Sequence, residues 1–363
     1  MKTTTLSAAE MRRLKQPDVS YSKAYAELKR LAKEKGLLEK QPAYYIYALL
    51  EPLILLGIGV AVLLLVDAFW VQLINALYLA VVFVRVGFVM HDAGHRQIFK
   101  KTRRNDLVGL IYGNLLLGSS ISSWRERHNE HHAHTNELDA DPTLEIPLWA
   151  WIEEQVQEQK GLLRFIMKYQ AFTFFPVLSL SAFFQAFAAI RYVLMEKKVE
   201  DRAWQGLLLA LHFVLYFGLV FYALPWWQAV IFLLVNHLAL GLHLGLVFAP
   251  NHKGMPLVEK DHQMDFLYVQ ALTTRNVRPG PVVDYLYGGL NYQIEHHLFP
   301  GMPRNKLGEA RRIVKAFCEE RDIPYYETGP IRSYREILQY MHQVGAPLRR
   351  SDRLVRATEP QNP

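Results

Sequence analysis

Cysteine is nearly absent: Cys318 is the one cysteine among 363 residues. That leaves no internal disulfide and fits a reducing compartment. The stretch from Met1 to Lys40 is basic and has no apolar core, so it does not read as a secretory leader. It reads as a basic amphipathic arm over residues 1–43. No internal repeat or low-complexity tract is evident. Acidic residues are outnumbered, with 34 Asp and Glu against 41 Lys and Arg, giving a net charge of +7. The basic residues flank apolar segments, so anionic lipid headgroups are the partner they imply, and nucleic acid is not.

What is present is apolar sequence in long runs. Hydrophobic residues make up 51% of the chain, and they cluster into stretches long enough to cross a bilayer at about 20 residues each. Four qualify: Ile46 to Val66, Phe69 to Met90, Trp204 to Leu224 and Trp227 to Pro250. They fall into two close pairs, joined near Asp67 and near Pro225. The turns carry no Lys or Arg, whereas Arg12, Arg13, Lys15, Lys23 and Lys29 precede the first span and Arg96, Lys100, Lys101, Arg103 and Arg104 follow the second. The positive-inside rule then puts both turns outside and every large loop in the cytoplasm. Arg85, within the second span, must snorkel or face protein. Two further apolar stretches, 107–121 and 172–190, read as interfacial or re-entrant. If 172–190 crossed the membrane, the histidines on either side of it would be separated by the bilayer. The expected fold is therefore all-α and polytopic, with four transmembrane helices in two hairpins and a cytoplasmic helical cap (91–203 and 251–344). Residues 44–344 form the membrane domain, and 345–363 a mobile tail.

Fourteen histidines are present, and seven of them fall into three groups. His91 and His95 stand four apart. His128 is followed by His131 and His132. Gln293 is followed by His296 and His297. Spacings of three and four place such side chains on one helix face. Seven imidazoles exceed what a single zinc site uses, and imidazole also suits iron. Seven or eight nitrogen donors furnish two metal centres with open positions.

These groups, in this order, resemble the three histidine boxes of the integral-membrane fatty acid desaturases, in the branch whose third box begins with glutamine. Trp124-Arg125, the run His134 to Asn136, Asp141-Pro142, Asn251-His252 and Leu298-Phe299-Pro300 are further matching pieces, and the resemblance covers about residues 40–340. It implies that His91, His95, His128, His131, His132, His296 and His297 ligate two non-haem irons, Fe2+ when reduced, with His252 as an eighth ligand and O2 as co-substrate. Gln293 is a weak ligand, a water-mediated one or a hydrogen-bond partner. Asp92, Glu130, Asp139, Asp141 and Glu295 are placed to orient ligating imidazoles, and His243 is either a supporting residue or a core histidine. Trp149 is a candidate for an acyl tunnel, and Arg125 and Arg127 for a CoA or lipid phosphate.

The implied reaction is O2-dependent insertion of a cis double bond into a fatty acyl chain, on CoA or on a lipid. Hydroxylases and ketolases of the same fold are the nearer alternative, and a polytopic metal transporter or sensor the more distant one. The His-Pro-Gly-Gly haem motif fused to some relatives is absent from the sequence. The expected electron donor is therefore a separate protein such as ferredoxin, cytochrome b5 or a reductase, and the expected setting a bacterial inner membrane.

Overall fold

The structure, a computed structural model, describes residues 21–157, 159–260 and 262–350. The basic residues Arg12, Arg13 and Lys15 and the tail beyond 350 lie outside the described residues. Among the described residues, four helices are long and apolar enough to cross a membrane: α2 (Pro42–Leu65), α3 (Phe69–Gly94), α10 (Arg202–Ala223) and α11 (Trp226–His252). An amphipathic helix, α1 (Ser22–Glu34), precedes them. Between the two long pairs lie α4 (Thr102–Gly109), a π-helical stretch over Leu110–Leu117, α5 (Ile121–Ala133), α6 (Glu153–Gln157), α7 (Gly161–Lys168), α8 (Gln170–Leu178) and α9 (Ser181–Met195). After α11 come α12 (Phe266–Thr273), α13 (Pro281–Tyr287), α14 (Gln293–Leu298), α15 (Leu307–Glu319) and α16 (Pro330–Val344). Two three-residue strands, Arg275–Val277 and Tyr326–Thr328, pair in parallel.

The spans form two layers. Within the apolar windows 67% of α3 and 39% of α11 are buried in protein, against 22% of α2 and 17% of α10. The inner pair is therefore α3 and α11, and α2 and α10 turn most of their surface outward, as lipid-facing helices do. Backbone groups in a span are satisfied within each helix, so polar side chains there need partners of their own. Asn236 Nδ2 donates to Ala76 O at 2.8 Å and Tyr216 OH donates to Asn236 Oδ1 at 2.7 Å, which ties α10, α11 and α3 together. Arg85 neither snorkels nor stands alone. Its Nε lies 3.1 Å from Glu51 Oε1, its Nη1 donates to Tyr285 O at 3.0 Å, and the guanidinium sits 4.3 Å over the Tyr285 ring. The two charges, from separate spans, thus offset one another.

The intervening apolar stretches are both broken. The segment Thr102–Leu117 meets α5 at 109°, and α8 meets α9 at 60°. The spans run slightly longer than the sequence suggests, with α3 reaching Gly94 and α11 reaching His252. The ends that carry histidine lie together, opposite the short turns at 66–68 and 224–225.

On that histidine-bearing end sits the cap. Leu28, Ala32 and Leu37 pack with Leu267, Ile294, Leu298, Val314 and Phe317 to bind α1, α12, α14 and α15 into one core. Arg275 is fully buried and acts as a clamp: Nε donates to Pro250 O at 2.6 Å, Nη2 to Lys253 O at 2.9 Å, and Nη1 to Glu336 Oε2 at 2.7 Å. The end of α11 is thereby fastened to α16. Residues 345–350 do not extend away as a tail: Leu348 is buried against the core around Trp151 and Tyr340, and Arg349 Nη1 donates to Lys168 O at 2.7 Å.

Candidate metal centre

The histidine groups converge from α3, α5, α11 and α14. His91 and His95 leave the last turn of α3, which points both at the helix crossing it, α5. Ser120 caps α5 by accepting from Ser123 N. His252 is the final residue of α11, and His296 and His297 sit on the short helix α14.

Two clusters result. In the first, one ligand nitrogen each from His91, His95, His128 and His296 lie within 4.8 Å of one another; in the second, the same holds for His131, His252 and His297. His132 lies between them. Its Nε2 is 3.1 Å from His128 Nε2, and its ring stacks on His297 at 4.1 Å between centroids. The sequence boxes do not map onto the clusters one to one. The second box sends His128 to one cluster and His131 to the other.

The nitrogens meet in a way that calls for a cation. His131 Nδ1 faces Asp141 Oδ2 at 2.9 Å, and His297 Nδ1 faces Gln270 Oε1 at 2.8 Å. Gln270 is oriented by its own Nε2, which donates to His132 O at 3.0 Å. Both Nδ1 atoms therefore carry the proton, and both Nε2 atoms turn lone pairs inward. His131 Nε2 lies 3.3 Å from His252 Nε2, and His91 Nε2 lies 3.2 Å from His296 Nε2. Lone pairs at that separation repel unless a proton or a metal lies between them. Burial, then neighbouring imidazoles, holds His95, His128, His132, His296 and His297 well below the usual histidine range. Neutral rings are what a metal needs, so the donor set fits a pair of metal ions.

Only some of the candidate carboxylates reach an imidazole of the two clusters. Asp141 holds His131, and it also accepts from Asn136 N at 2.9 Å and Thr143 N at 2.8 Å. Burial alone would raise its pKa, but His131 and the nearby Lys253 outweigh that and keep it well below the usual carboxylate range. Asp92 Oδ1 is 3.4 Å from His91 Nδ1. The other three carboxylates do not take this role. Glu130 is exposed and faces His134, because about 100° per residue turns it away from the histidine face of α5. Asp139 occupies a left-handed turn at φ 58° and is exposed. Glu295 turns into the cap, where it accepts from Asn276 Nδ2 at 2.8 Å and Tyr325 OH at 2.8 Å, and burial pushes its carboxyl up to about 7. His243 binds Leu286 O at 3.0 Å and does not join either cluster. Arg125 pairs with Asp106 at 2.7 Å, Arg127 reaches Pro142 O at 3.5 Å, and Trp149 is buried against Phe174 and Trp151.

Two further residues complete the site. Arg304 is 5% exposed and its Nε lies 3.0 Å from Asp92 Oδ2, a buried ion pair beside His91. Nothing in the local pattern around Arg304 marks it, since Lys306 stands two residues on in the same short turn. Trp124 stacks on His128 with 4.3 Å between centroids and touches the rings of His91 and His95. It can do so because Gly94 has no side chain. A Cβ there would lie 2.2 Å from Trp124 Cζ3. Gly94→Ala is therefore expected to lower stability by about 1–3 kcal/mol through overpacking and to disturb His128. An unchanged melting temperature of the purified variant would show that the indole moves aside freely.

Comparison with known proteins gives a consistent picture. A family model described as fatty acid desaturase matches residues 68–329. The chain is 31% identical over 339 residues to a Delta(5) fatty acid desaturase of Caenorhabditis elegans, covering 87% of this chain and 74% of that protein. It is 30% identical over 340 residues to a Delta(8)-fatty-acid desaturase of Euglena gracilis, covering 90% and 80%. An acyl-lipid (9-3)-desaturase of Physcomitrium patens is 30% identical over 338 residues, covering 91% and 64%.

Proposed function

Because the chain belongs to the fatty acid desaturase family, we propose that its paired histidine clusters hold two non-haem irons and that it inserts a cis double bond near the carboxyl end of a fatty acyl ester. The observation that carries this reading is the convergence of His91, His95, His128 and His296 beside His131, His252 and His297 at the ends of the two inner spans. Breaking an unactivated C–H bond needs an oxidant stronger than any side chain, and bound iron with O2 as co-substrate supplies it. The donor set supports iron as far as imidazole does.

The protein's own work is positioning. Asp141 and Gln270 fix the tautomers of His131 and His297, so both lone pairs face the centre. Asp92, held by Arg304, supports His91. The site lies where α3 and α11 leave the apolar layer, which supports a substrate whose acyl chain is drawn from the bilayer. The named relatives act at Delta(5) and Delta(8), which supports a position on the carboxyl side of the chain. The acyl carrier is a CoA ester or a membrane lipid. Electrons come from a separate carrier protein such as ferredoxin or cytochrome b5. The basic residues that flank the spans support a cytoplasmic active site.

The test is gas chromatography of total fatty acids from a host with and without the gene, with the new alkene located. One new cis double bond on the carboxyl side is the expected result. A hydroxylated or keto product would move the chain to another reaction of the same fold, and an unchanged profile with iron bound and a donor supplied would contradict the reading.

A further inference from the structure

The third histidine box opens with glutamine, and the hydrogen bonds around it decide which end of that amide faces the second cluster. We infer that Gln293 is a hydrogen-bond donor to a water in the open position of the His131–His252–His297 cluster, and not a metal ligand through its amide oxygen. The inference rests on the reading of that cluster as a metal site.

Asn251 is the starting point. Its Nδ2 faces two backbone carbonyls, Val247 O at 3.2 Å and Leu290 O at 3.2 Å. A carbonyl only accepts, so the amine end of Asn251 must face them. The same Nδ2 lies 3.0 Å from Gln293 Oε1, which makes that oxygen the acceptor and commits it away from the cluster. The amine end of Gln293 is left pointing inward, with Nε2 at 3.2 Å from His252 Nε2. Amide orientations are assigned from hydrogen-bond networks, and the alternatives here are poor. Turning Gln293 over sets two amine groups against each other. Turning both residues sets Asn251 Oδ1 against two carbonyl oxygens. Asn251 is fully buried and Gln293 is 3% exposed, so bulk water relieves neither clash.

Metal binding sharpens the point. Once His252 Nε2 gives its lone pair to a metal, the N–H of Gln293 loses its acceptor. Three imidazoles leave a metal with an open position of the kind catalytic sites fill with water, and an oxygen there is the acceptor within reach. The first cluster has four imidazoles. The two metals are thus unlike, and the water-bearing one is the metal beside Gln293.

The experiment compares metal-loaded wild-type protein with Gln293→Met and Gln293→Glu. The donor role predicts that Gln293→Met keeps the wild-type metal content and an unchanged first shell by X-ray absorption. In both variants kcat falls on the order of tenfold or more, with KM for the acyl substrate unchanged. Gln293→Glu matches the native side chain in size, so it decides the matter if Gln293→Met fails to fold. Loss of one metal in Gln293→Met, or retained turnover in either variant, overturns the inference. Wild-type protein that takes up no metal, or keeps both metals after His252→Ala, overturns the parent reading and this inference with it.

Discussion

Replacing His131 by alanine is expected to abolish desaturation, leaving the fatty-acid profile of the host at the level of an empty vector. His131 is 5% exposed, and its two nitrogens are both committed. One faces Asp141 at 2.9 Å and the other faces His252 at 3.3 Å. The alanine variant leaves the second cluster with His252 and His297 alone, and leaves the Asp141 carboxylate buried without its imidazole. Altering a residue that only orients a metal ligand costs about 10–100-fold in affinity or activity, so removal of the ligand itself should exceed that range. His134→Ala is the control. That residue lies three positions further on, pairs with Glu137 at 2.8 Å, and stands outside both clusters. It should retain most of the activity. Equal loss in both variants would mean that the second box acts through folding rather than through metal.

The second large effect belongs to Arg304. Asp92 is fully buried and Arg304 is 5% exposed, with 3.0 Å between their charged atoms. Breaking a buried pair from one side leaves an uncompensated charge and costs about 3–5 kcal/mol. Arg304→Met is therefore expected to lower the melting temperature strongly and to reduce metal content, because Asp92, left without its counter-charge, supports His91 less well. The double variant Asp92→Asn with Arg304→Met should recover much of the stability, since both charges are gone, without recovering full activity. A single variant as stable as the wild type would remove the ion pair from the account.

The fold was largely legible because the membrane reduces it to the length and flanking charge of apolar runs. Two hairpins follow from two pairs of spans with very short turns, and placing the boxes on one side follows from parity. The histidine clusters were legible because their side chains repeat at helical spacing on α3, α5 and α14. His252 has no box around it and rested on the resemblance alone.

What stayed hidden depends on how helices cross. The split of the second box between two clusters follows from α5 lying across the ends of α3 and α11, which spacing does not encode. Of the carboxylates, Asp92 and Asp141 face imidazoles, and Glu130, Asp139 and Glu295 do not, because neighbours in sequence turn to different faces. Arg304 could not be paired with Asp92, more than 200 residues earlier in the chain. Gln270 gave no sign of supporting His297 until α12 was set beside α14.

Metal analysis of the purified, unsubstituted protein tests the central claim most directly. Two neighbouring sites built from histidines of four helices predict two irons per chain after expression in iron-replete medium, falling in His131→Ala and not in His134→Ala. Protein that desaturates acyl chains while holding no metal, or that holds one zinc and no iron, would contradict it.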